Sequence, residues 1–136
     1  MEDFNLEMTD NEMQISIIKT LINILIMRGW LSDDFENHYK LIINENNLDK
    51  NNLDLIDIIK ISCLNNKNII IKFYKLKLTT IKNDRSLELF LSNTEHKILI
   101  VNDISIKLFK QFLTLNNFEV FKFNELYRDL SKHHLV

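Results

Sequence analysis

One glycine, one cysteine and no proline in 136 residues close off several kinds of chemistry at once. A single glycine leaves no glycine-rich loop to cradle a nucleotide phosphate and no Gly-x-Ser-x-Gly elbow to expose a nucleophilic serine. The lone Cys63 forms no internal disulfide, and its apolar neighbours suggest a small buried hydrophobe in a reducing, intracellular setting. There is no excess of positive charge: the formal net charge is -2, which argues against a free-standing nucleic-acid binder and confines any phosphate contact to a local patch. Long apolar runs are also missing. The most apolar stretch, Ile15 to Met27, is broken by Ser16, Lys19, Thr20 and Asn23, too short and too polar on one side to span a bilayer. Met1 to Asp10 carries Glu2, Asp3, Glu7 and Asp10, opposite in sign to the basic start of a secretory signal. With glycine and proline so scarce, asparagine must take over much of the turn chemistry, because it tolerates the left-handed backbone. Heavy use of Ile, Asn and Lys matches an AT-rich genome, as in some protists and large DNA viruses.

What is present suits one folded domain. Hydrophobic residues make up 46% and charged residues 26%, enough apolar surface to offset the entropy lost on folding. Thr9-Asp10-Asn11-Glu12 has the spacing of a capping box, so a helix should begin there. Ile15, Ile18, Ile22, Leu25 and Ile26 recur at helical spacing, with Ser16, Lys19, Thr20 and Asn23 on the other side, and Gly29 should end the helix. Ser32 is the expected cap of a second helix striped by Phe35, His38 or Tyr39, and Ile42, followed by an asparagine-rich loop over Asn44 to Asn52.

Leu53 to Leu64 and Asn68 to Leu76 read as strands around a hairpin turn at Asn65-Asn66-Lys67, with a helical reading open for part of the first. Leu78 to Thr94 reads as helix. Ile98 to Val101 is a continuous apolar run suited to a strand covered on both faces, Ile104 to Leu115 follows helical spacing, and FEVFKF, Phe118 to Phe123, is a further strand. Within it Phe121 and Phe123 should share a face and pack into the core rather than stack on bases. Strand, helix, strand in that order implies a crossover between parallel neighbours, and the whole predicts an α/β chain with helices against a mixed sheet.

Two stretches carry a resemblance. Ile18 to Phe35, IKTLINILIMRGWLSDDF, ends its first helix in Arg28, Gly29 and Trp30; Phe123 to Val136, FNELYRDLSKHHLV, sets Glu125-Leu126 a fixed interval before His133, Leu135 and Val136. Together with the order of the elements between them, these resemble the N-terminal jaw domain of eukaryote-type subunit five of DNA-directed RNA polymerase over nearly the whole chain. The sequence departs from the family where a Thr-Pro-Ser-Ala turn would follow the Ile98 to Val101 strand; here Asp103-Ile104-Ser105-Ile106 stands instead. The family's small C-terminal assembly domain would begin after Val136.

The resemblance implies a three-layer, restriction-endonuclease-like mixed sheet flanked by helices, and a non-catalytic transcription subunit. Its partners would be the largest polymerase subunits and downstream duplex DNA, contacted without regard to sequence. Neither cofactor, metal, membrane nor small-molecule substrate is expected, and the location would be the nucleus, or a viral factory or virion. DNA would approach at the turn after the third strand, where Asn102, Ser105 and Lys107 could donate to phosphate, helped by backbone N–H groups at a helix start near Ile104. Asp103 either opposes phosphate there or caps the helix.

Because the implied fold is shared with nucleases, an Asp with an acid-x-Lys pair would signal Mg²⁺-dependent cleavage. Ile69 to Lys75 lacks the pair. Glu95-His96-Lys97 matches it in a loop without a convergent aspartate, which leaves a nuclease, or a protein interaction module, as the alternative function. The adjacent His133 and His134 have no nearby cysteine or histidine to complete a metal site, and His133 reads as a packing residue. Lys67, Lys72, Lys75, Lys77, Lys82 and Arg85 stand against the single acid Asp84, a basic bias that reads as a solvated face or as a surface facing phosphate.

Overall fold

A computed structural model describes residues 9–127, apart from the Asp54 side chain. The motif residues His133, Leu135 and Val136, with His134, lie outside the described residues. Two compact units result, one built from residues 9–56 together with 126–127, the other from Asp57–Glu125.

The first unit begins with α1 (Asp10–Met27), whose capping box is closed in both directions. The Thr9 hydroxyl accepts the Glu12 N–H at 3.0 Å, and the Glu12 carboxylate accepts the Thr9 N–H at 2.9 Å. Its far end closes as a left-handed cap: Gly29 has φ 78°, its N–H donates to the Ile26 carbonyl, and the Trp30 N–H donates to the Leu25 carbonyl, both at 2.9 Å. The buried stripe is wider than the spacing suggests. Ile17 and Leu21 join Ile18, Ile22 and Leu25, and Ser16 and Thr20, expected on the polar side, are buried with Gln14.

The second helix, α2 (Phe35–Glu45), starts later than expected. Ser32 does not cap it, because the Ser32 hydroxyl and carbonyl both meet Nε2 of His38, at 3.1 and 2.8 Å, and Asp34 takes the cap position without a side-chain bond. At Leu53 the helical alternative holds in place of a strand. Asn11 of α1 accepts the Leu53 N–H at 2.6 Å and donates to the Lys50 carbonyl at 3.1 Å, so Leu53–Leu55 turn as a 3₁₀ helix.

In the second unit, β1 (Ile58–Ser62) pairs antiparallel with β2 (Asn68–Leu78). At the turn between them Asn65 and Asn66 are both left-handed, with φ 61° and 58°, the conformation that suits a strand twist at a tight hairpin. Every non-glycine residue with positive φ among the described ones is an asparagine: Asn47, Asn65, Asn66, Asn83 and Asn117. The turn role assigned to asparagine from the shortage of glycine is what the backbone displays. Cys63, beside the first of these turns, is half-buried rather than buried, and its burial pushes the thiol pKa up, away from the reactive thiolate.

Two parallel crossovers follow, β2 to α3 (Arg85–Ser92) to β3 (His96–Ile104), then α4 (Ile106–Phe112) to β4 (Phe118–Lys122). The sheet order is β1-β2-β3-β4, a mixed sheet flanked by helices, as expected. The third helix is shorter than Leu78 to Thr94, because β2 keeps pairing through Leu78 and Asp84 caps the helix by accepting the Leu87 N–H at 3.0 Å. Ile98 to Val101 are each at most 1% exposed, which a four-residue apolar run inside a parallel sheet requires.

The helices cover one sheet face: Leu87 and Phe90 of α3, and Leu108 and Phe112 of α4, are clustered with Ile70, Leu99 and Val101. Phe118 closes the end of this cluster, edge-on to Phe112 at 5.0 Å and tilted against Phe90 at 6.3 Å. Phe121 and Phe123 do not share a strand face, because β4 stops at Lys122 and residues 123–127 are helical.

Candidate nucleic-acid interface

The turn expected to meet phosphate lies between β3 and α4, and the sequence there divides its polar groups between internal and external use. Asn102 is exposed near the end of β3. Ser105, not Asp103, is the cap of α4: its hydroxyl oxygen accepts the Leu108 N–H at 3.3 Å, and its own N–H donates to the Leu78 carbonyl at 3.0 Å. The Ile104 N–H is not free for a ligand, since the Asp103 carboxylate accepts it at 2.8 Å.

Asp103 is also opposed by two cations, Lys122 at 3.4 Å and Lys77 at 4.0 Å. The Ile104 backbone N–H, with Lys122 and Lys77 behind it, holds this carboxyl below the usual carboxylate range. The charge that would repel phosphate is therefore balanced locally, at the expense of two lysines. Lys107 faces outward from α4 with no carboxylate partner among the described residues.

The basic cluster of the second unit separates in the same way. Lys72 turns inward, its side chain only 5% exposed, with Nζ 2.7 Å from Asp57 and 2.9 Å from the Ser86 hydroxyl. It cannot serve an external phosphate, and the six cations do not form one solvated face. The residue two before it, where an acid-x-Lys pair would need a carboxylate, is Ile70, 2% exposed in the helix-covered core. In the other match, Lys97 is buried and donates to the Asn93 carbonyl, while His96 sits 2.8 Å from Glu119 across to β4. His96 and Lys97 belong to β3 rather than to a loop. No group of three or more His, Cys, Asp or Glu side chains gathers as a metal would need among the described residues.

Of the two motifs, Arg28, Gly29 and Trp30 share the first unit with Leu126, while Glu125 belongs to the second. The Arg28 guanidinium lies over the Trp30 ring, 5.0 Å from its centroid, on either side of Gly29. In the second motif the Glu125 carboxylate accepts the Lys122 N–H at 2.6 Å, turning the end of β4 into the helical residues that follow. Leu126 is 1% exposed, and its carbonyl accepts the Thr20 hydroxyl of α1 at 3.1 Å. Periodicity gave no hint of this bond, because Thr20 reads as a polar-face residue until its partner is known.

Residues the sequence did not single out as a group also meet here. Thr79, Thr80, Ile81 and Lys82, from the chain between β2 and α3, share an open groove with Lys107, Leu108 and Gln111 of α4. The signals were present but scattered: Lys82 in the basic cluster, and Gln111 four residues after Lys107, on the same side of a helix. No helix among the described residues is long and apolar enough to cross a membrane. Comparison with protein-family models, with curated proteins and with solved structures finds no match.

Proposed function

We infer that this chain is a non-catalytic jaw element of a multisubunit DNA-directed RNA polymerase, similar to the N-terminal part of the eukaryote-type subunit five and set beside downstream duplex DNA. The observation that carries the reading is the buried bond from the Thr20 hydroxyl to the Leu126 carbonyl. It ties the helix that ends in Arg28-Gly29-Trp30 to Leu126 of the second motif, about a hundred residues away in the sequence, within one folded unit. The order helix, helix, strand hairpin, helix, strand, helix, strand also supports it, with β4 running directly into the second motif.

The work of such an element is steric and electrostatic. Phosphate contacts from a few lysines position a duplex without reading it, which suits a chain of slightly acidic net charge whose basic groups are available only locally. The test is affinity capture of the tagged full chain from cells that make it. The two largest polymerase subunits should be recovered with it in near-equal amounts; a clean capture lacking both refutes the reading.

A further inference from the structure

We propose that the groove between the β2–α3 connection and α4 is a phosphodiester site, with Lys82 and Lys107 supplying the charge and Thr79, Thr80 and Gln111 the neutral donors. This deepens the polymerase reading and rests on it for the choice of duplex DNA as the ligand. The groove holds about 280 Å³ of water-accessible space, room for a phosphate group and its flanking oxygens. None of its lining residues is acidic.

Its two lysines are set apart by sharing one concave surface: Lys75, Arg85 and Lys110 also have no ion pair among the described residues, but they do not line the groove, and the remaining nearby cations are engaged elsewhere. Lys72 is consumed by Asp57, Lys77 and Lys122 by Asp103, and Lys97 by the Asn93 carbonyl. Lys82 and Lys107, 25 positions apart in the sequence, have no ion pair among the described residues, and the fold brings both to one concave surface. The floor is firm, because Leu108 is buried in the helix-covered core and Ile81 packs against it. Thr80 Oγ1 accepts the Lys82 N–H at 3.1 Å, which fixes the hydroxyl oxygen at the rim and leaves its proton to donate outward. An anion entering here would meet two unpaired ammonium groups and uncharged donors without having to displace a carboxylate, the arrangement expected for nonspecific backbone contact.

The test uses the ¹⁵N-labelled full chain titrated with a short DNA duplex, and in parallel with inorganic phosphate and tripolyphosphate. Amide shifts should appear at Thr79 to Lys82 and at Lys107 to Gln111 with the duplex, and should vanish in the double variant Lys82→Gln, Lys107→Gln. The slope of log affinity against log salt should be shallower in that variant by about 1.8, the value for two neutralised phosphates. The control Lys75→Gln, Lys110→Gln removes the same charge from exposed lysines outside the groove and should leave the groove shifts intact. Equal loss of binding in both double variants would overturn the site in favour of diffuse attraction, and shifts with the free phosphates but not the duplex would overturn the DNA assignment. If the polymerase copurifies while the duplex leaves the groove unmoved, the groove proposal fails alone. If the groove binds duplex but no polymerase copurifies, the site stands and the polymerase reading falls.

Discussion

Removing Asp57 should cost the fold more than removing the lysine it pairs with. The Lys72 side chain is 5% exposed and the Asp57 side chain 64% exposed, with 2.7 Å between Nζ and Oδ1. Asp57→Ala leaves a buried ammonium with the Ser86 hydroxyl, 2.9 Å away, as its remaining side-chain partner. Depriving a charged donor of such a bond costs about 1.5–3 kcal/mol; water entering from the exposed Asp57 side places the expected loss near 2 kcal/mol. Lys72→Met keeps the length of the stem, removes the charge and returns Asp57 to water, so its cost should stay below about 1 kcal/mol. For a chain of this size each kcal/mol corresponds to about 3–5 °C in Tm. Asp57→Ala should therefore melt about 6–10 °C below the parent, with the double variant close to Lys72→Met alone. Urea and thermal unfolding of the three variants measure this. If Lys72→Met is as damaging as Asp57→Ala, the buried pair is not organised as described.

Gly29→Ala should lose about 1–2 kcal/mol in urea unfolding, from the left-handed backbone alone, because no atom lies within 4 Å of the added Cβ. Phe112→Ala should cost about 3–5 kcal/mol, since a side chain 4% exposed loses its packing and its edge contact with Phe118; a loss under about 1 kcal/mol would show that the helix-covered face is not a packed core. Asp103 supplies a pH test. A carboxyl whose folded-state pKa is depressed, as Asp103's is by the Ile104 N–H, stabilises the fold above its unfolded value, near pH 4. That contribution disappears as pH falls through the folded value. Unfolding measured across the acid range should thus show a smaller acid-induced loss for Asp103→Asn than for the parent.

Local chemistry was legible in the residues; partnerships across the chain were not. The capping box at Thr9, the stop at Gly29 and the hairpin turn at Asn65-Asn66 depend on neighbours a few positions away, and each is found where the spacing puts it, whereas left-handed Asn83 breaks a segment that reads as helix. The mixed sheet followed from the order of apolar runs. What failed depended on distant partners. Ser32 is a good cap residue by type, but His38 occupies both its hydroxyl and its carbonyl. Leu53 has strand-like neighbours, yet the Asn11 amide, 42 positions away, holds its N–H. Lys72 looked like one more surface lysine in a basic run, and only the hairpin register opposite Ile58 brings Asp57 near enough to bury it.

The turn between β3 and α4 shows the same division. Asp103 and Ser105 both have the chemistry of a cap, and the pairing of β3 with β2 through Leu78↔Ile104 decides between them, because the strand must end before the helix can begin. The family resemblance singles out Lys107, at the turn after the third strand. Its companion Lys82 was identified separately, and the groove that joins them exists only in the folded unit.

A photocrosslinking amino acid at Asn102, exposed near the end of β3, offers the most direct measurement. On irradiation of transcribing cells that make the chain, adducts should form with DNA ahead of the polymerase active centre, in material that also contains the largest polymerase subunit. Adducts formed solely with unrelated proteins would contradict the account.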